Sequence, residues 1–107
     1  MSAIIQTSAK APVYKVGISF RSSLSADEVR QRYIRPLRKV LKEASAGIYS
    51  NYLRQVDPDS TRATEHLIVF ELQDFKAGLR VLRVELEQIG LPSDVQFQNL
   101  SPSQPGY

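Results

Sequence analysis

LSADEVRQRYIRPLRKVLKEA, from Leu24 to Ala44, carries the clearest structural signal in this 107-residue chain and its only concentrated charge. Ser25 followed by Glu28 is a capping box: the hydroxyl takes a backbone N–H of the first turn, and the carboxylate reaches back to the N–H of Ser25. Leu24 before the cap and Val29 after it stand at the positions of a hydrophobic staple. Val29, Tyr33, Leu37, Val40, Leu41 and Ala44 then recur at helical spacing, which predicts a helix with one buried face. Pro36 interrupts it. An interior proline has no N–H to give and crowds the turn before it, so a kink is expected there, or a second helix with Pro36 in its first turn.

The opposite side of the same helix is cationic. Arg32, Arg35, Arg38, Lys39 and Lys42 share it, and no acid lies between Glu28 and Glu43. Six of the 14 basic residues fall between Arg30 and Lys42, so the net charge of +3 is a local property of this helix.

Working outward, Tyr14, Val16, Ile18 and Phe20 alternate with Lys15, Gly17 and Ser19, which predicts a half-buried strand over Val13–Phe20. The helix is expected to stop near Ser45-Ala46-Gly47, with Gly47 as a left-handed cap. Ile48–Val56 and Thr64–Leu72 read as two strands joined through the turn Asp57-Pro58-Asp59-Ser60. In the second of them His66, Ile68, Phe70 and Leu72 share one face, and Leu67, Val69 and Glu71 the other. Asp74 caps a second helix, Phe75 to about Ile89, with Phe75, Gly78, Leu79, Leu82, Leu86 and Ile89 inward and Arg83 spaced to pair with Glu87. Inward Gly78 predicts a close approach to the sheet or to the first helix. Gly90, with Leu91 folding back onto Leu86 and Pro92 beyond, predicts a Schellman ending. Val95–Leu100 is a last short strand.

The order strand, helix, strand, strand, helix, strand predicts an α+β fold, the ferredoxin-like plait, with a four-stranded antiparallel sheet and both helices on one face. Residues 13–100 form one domain, flanked by a tail or short extra strand over 1–12 and a tail over 101–107.

Composition excludes several chemistries. Without cysteine there is no disulfide, no thiolate nucleophile and no zinc site built on Cys, which suits a cytoplasmic protein. The longest apolar run, Leu67–Phe70, is far too short to span a membrane. His66 is the single histidine and falls on the buried face of a strand, a poor start for a metal site, which needs three or four ligands. Asp57-Pro58-Asp59-Ser60-Thr61 opens like a calcium loop but has Arg62 where glycine is required and Ile68 where a bidentate glutamate is required. Serines lack a nucleophile-elbow context, and the glycines form no phosphate loop. No cofactor is implied, and no enzyme activity is supported.

Two surfaces remain. The first is the basic face Arg32, Arg35, Arg38, Lys39 and Lys42, which suits an acidic protein or, independently of sequence, nucleic-acid phosphates. The second is the open sheet face, where Leu67 and Val69 are joined by Leu53 or Tyr49 from the neighbouring strand. An uncovered apolar patch of that kind marks a protein interface or self-association into a homo-oligomer. Base stacking on the sheet is not expected, because Lys15, Gly17 and Ser19 stand where an RNA-binding plait carries aromatics. A small-ligand regulatory site at the Arg21–Ser25 turn has no motif behind it.

From Leu37 to Phe97, LRKVLKEASAGIY, HLIVFELQD and LRVLRVELEQIGLP give the chain a resemblance to small bacterial plait proteins of uncharacterised function. Where those commonly carry a glycine-rich turn after the first helix, this chain has Gly47 alone, then Ile48, Tyr49 and Ser50. The resemblance implies the plait and, as for some of that group, a role as partner or immunity protein for a toxin; it implies no catalytic residue. The expectation is a non-catalytic module for protein–protein interaction or self-association.

Overall fold

The computed structural model of the chain describes residues 13–56, 64–92 and 94–100. The expected tails and the Asp57-Pro58-Asp59-Ser60 turn lie outside the described residues. Four strands, β1 (Tyr14–Ser22), β2 (Gly47–Gln55), β3 (Thr64–Leu72) and β4 (Gln96–Asn99), form one antiparallel sheet in the order β2-β3-β1-β4. Between β1 and β2 the chain is helical from Ala26 to Glu43; between β3 and β4 it forms α3 (Phe75–Ile89). Both helical segments pack on the face of the sheet that carries Val16, Ile18, Phe20, Ile68, Phe70 and Leu72. This is an α+β architecture. Among the described residues no helix is long and apolar enough to cross a membrane.

The first helix begins as its sequence predicts. Glu28 N–H donates to Ser25 Oγ at 3.2 Å and Ser25 N–H donates to Glu28 Oε1 at 2.8 Å, completing the capping box. The N–H of Ser25 holds the Glu28 carboxyl below its ordinary pKa.

Pro36 is accommodated without breaking the helix. A short α1 (Ala26–Val29) passes into a π-helical turn (Arg30–Ile34) and then α2 (Arg35–Glu43), with Pro36 in the opening turn of α2. The N–H of Arg35 bonds the carbonyl of Arg30, five residues back. The wider turn relieves the crowding that a proline ring imposes on the turn before it. The buried stripe differs from the expected one: Ile34, three residues before Leu37 and seven before Leu41, is buried beside Tyr33, while Ala44 at the end of the expected stripe is exposed.

Three local expectations are corrected. The left-handed residue after α2 is Ser45 (φ 52°) and not Gly47. Gly47 instead opens β2, buried, where a Cβ would collide with the Glu71 carbonyl oxygen and with Leu72. Gly90 (φ 112°, ψ 116°) stops α3, but Leu91 is 54% exposed and does not fold back onto Leu86. Arg83 does not pair with Glu87; its guanidinium lies 5.1 Å from the centroid of the Phe97 ring.

The rest of α3 follows its pattern. Asp74 Oδ1 accepts the Ala77 N–H at 3.0 Å, and Gly78, Leu82 and Leu86 are buried. The close approach at Gly78 is to the sheet, since a Cβ there would lie 2.8 Å from both Leu72 methyls.

Candidate functional site

Among the described residues strand β2 is paired on one side only, to β3, and it is irregular. Its register passes from Tyr49↔Phe70 to Asn51↔Val69, leaving Ser50 unmatched as a bulge. Strict alternation would send Tyr49 and Tyr52, three residues apart, to opposite faces. The bulge puts both on the helix face. Tyr49 therefore does not join the open-face patch; its ring meets Phe70 edge-on at 6.0 Å.

Tyr52 is positioned by His66, which is fully buried. Nε2 of His66 is 3.2 Å from the carbonyl oxygen of Ser22 and 3.1 Å from its Oγ, and Nδ1 is 2.7 Å from Tyr52 Oη. A carbonyl only accepts, so the network assigns the ring proton to Nε2, and Nδ1 accepts from the tyrosine hydroxyl. Burial pushes the His66 pKa down and the Tyr52 pKa up, so both keep these neutral forms. The Ser22–His66 spacing is that of a nucleophile and its base, yet an Nε2 that already carries a proton cannot take one from Ser22. The imidazole, stacked against Phe20 at 5.0 Å, works as a pin joining β1, β2 and β3. Its placement on a buried face was legible in the sequence; its partners Ser22 and Tyr52, 44 and 14 residues away, were not.

The helix side also carries a concavity. A groove of about 360 Å³ runs between the first helix and β2, lined by Asp27, Arg30, Ile34, Arg35, Arg38 and Tyr49. Arg30 is oriented twice, by an ion pair to Asp27 Oδ1 at 3.1 Å and by lying 5.7 Å from the Tyr52 ring centroid. Both side chains of the ion pair are well exposed, so it fixes geometry more than stability. Arg35 and Arg38 line the groove with no described carboxylate at ion-pairing distance.

The predicted basic residues Arg32, Arg35, Arg38, Lys39 and Lys42 are all exposed. Only Arg35 and Arg38 of these enter the groove, where Arg30 joins them; Arg32 instead lines a shallow depression with Glu28 and Gln31.

The open sheet face is smaller than alternation suggests. Leu53 is 50% exposed, but Leu67 is half-buried and Val69 only 8% exposed. A Cβ at Gly17 would lie 2.8 Å from a Leu67 methyl and 2.9 Å from a Leu100 methyl, so these two leucines close over the glycine beside Val69. Buried Ser19 accepts from Gln98 Nε2 at 3.0 Å on the same face.

Among the described residues no group of three or more His, Asp or Glu side chains could hold a metal ion. Comparison of the chain with protein-family models, with curated proteins and with solved structures finds no match.

Proposed function

We propose that this chain is a non-catalytic binding module with the ferredoxin-like plait fold, and that its cationic helix engages an acidic protein partner. The strand order β2-β3-β1-β4, with helices after β1 and β3, supports the plait. The single observation that carries the function is the groove in which Arg30, Arg35 and Arg38 gather around Ile34 and Tyr49 with one carboxylate, Asp27, among them. Guanidinium groups beside aromatic and aliphatic carbon suit carboxylates presented by a protein surface, and charge of one sign steers the encounter. Self-association through the sheet ranks second, because Leu67 and Leu100 already cover part of that face.

The test is fluorescence anisotropy of a labelled polyglutamate chain and of labelled single- and double-stranded nucleic acid, titrated at low and near-physiological salt. An Arg35→Glu/Arg38→Glu variant runs alongside. The acidic polypeptide is expected to bind, with affinity lost on charge reversal. Binding of nucleic acid alone, with a steep salt dependence, moves the function to phosphate contact.

A further inference from the structure

We infer that the free edge of β2 takes an extended acidic segment of the partner as a fifth strand, with alternate side chains entering the arginine groove. The inference rests on the reading of the helix as an acidic-partner surface and specifies how that partner is held.

Three observations converge on β2. Among the described residues it ends the sheet, and at 9 residues it is long enough to template a strand, whereas the other edge, β4, has 4. The N–H of Tyr52 is turned away from β3 and is met by its neighbour's Asn51 Oδ1 at 2.8 Å, on the exposed edge. By the alternation of an antiparallel ladder, Arg54 also presents its N–H and carbonyl outward. The side chains then sort by face. A strand laid along this edge has every second residue on the helix side, next to Arg30, Arg35, Arg38 and Tyr49, and the others on the open side, next to Leu53 and Ile48, which are 50% and 60% exposed.

The pattern that fits is acid alternating with apolar residues. It is also selective. Two copies of this chain paired through β2 would bring their own Arg30 and Arg54 side chains together, so like charge disfavours a second copy as the added strand. The bulge at Ser50 interrupts the ladder, so the main-chain bonds at Tyr52 and Arg54, in the regular stretch after it, are the ones that can be tested. This is strand addition, in which main-chain bonds supply affinity and alternate pockets supply specificity.

The experiment uses the full chain and three labelled peptides of about nine residues, matching β2: one alternating Glu and Val, the same peptide N-methylated at alternate amides, and one of equal composition with all Glu in a single block. The alternating peptide is expected to bind, the N-methylated and blocked peptides to bind about tenfold more weakly, the scale of one lost hydrogen bond. Amide exchange at Tyr52 and Arg54 is expected to slow in the complex. Equal binding of all three peptides, lost in the Arg35→Glu/Arg38→Glu variant and without protection of Arg54, overturns strand addition while leaving the acidic-partner function standing. If no acidic peptide binds at low salt, both fall.

Discussion

Replacing Tyr52 with Phe tests the pin at the centre of the sheet, since it deletes one oxygen atom and little else. In the wild type, Tyr52 Oη donates to His66 Nδ1 at 2.7 Å, and His66 has no exposed surface. A buried acceptor left without a partner costs about 1–3 kcal/mol, which at about 4 °C per kcal/mol for a domain of this size lowers Tm by about 4–12 °C. The stacking of the two rings survives the change, so the loss should come from the contacts of the hydroxyl, to His66 Nδ1 and to Arg54. Differential scanning calorimetry at pH 7.5 reads it directly. The same variant carries a pH signature. His66 has its pKa lowered by burial, so between that value and about 6.5 the unfolded chain binds more protons than the folded one, and wild-type stability rises with pH across this window. The contribution is complete above the unfolded value and is lost as pH falls through the folded one. Removing the Tyr52 donor takes away a bond that favours neutral imidazole, so the slope in this window should flatten in the variant. A Tm within about 1 °C of wild type, or an unchanged slope, refutes the assigned tautomer and the pinning role, because the measured loss would then lie below the cost of an unpaired buried group.

Other perturbations follow from the same geometry. Gly47→Ala places a Cβ against the Glu71 carbonyl oxygen and Leu72, neither free to retreat within the sheet, and urea titration should show a loss of about 1–3 kcal/mol, the usual cost of overpacking. Asp74→Ala removes the cap that accepts the Ala77 N–H and should cost about 1 kcal/mol in the same assay, with the loss recovered by Asp74→Ser. Arg35→Glu/Arg38→Glu should leave Tm near wild type, because both side chains are exposed and without a described ion pair, while abolishing capture of acidic polypeptide.

Much of the fold was legible before any coordinates. The Ser25–Glu28 capping box, the Asp74 cap and the stripe from Phe75 to Ile89 are local patterns, set within a turn or two by hydrogen-bond supply and side-chain spacing, and they stand where the spacing puts them. The alternation of Tyr14–Phe20 and Thr64–Leu72 likewise fixed which residues point into the core, because strand geometry leaves only two faces to choose from. The exposed basic face was equally readable, since helical periodicity determines which side a residue occupies.

Tertiary structure alone decided how those pieces meet. Asp27, Arg30, Ile34, Arg35 and Arg38 recur at helical spacing, so their shared side was open to a sequence reading; that β2 lays Tyr49 against that side was not. The bulge at Ser50 turns Tyr49 to the helix face, and a bulge is a mismatch between two strands that neither strand's sequence records by itself. Ser22, Tyr52 and His66 are joined across three strands, so the partners that make His66 a pin exist only once the sheet is assembled. Local pattern thus determined which elements form and which way they face. Register and long-range contact determined which side chains meet across strands, because those depend on distances that no short stretch of chain encodes.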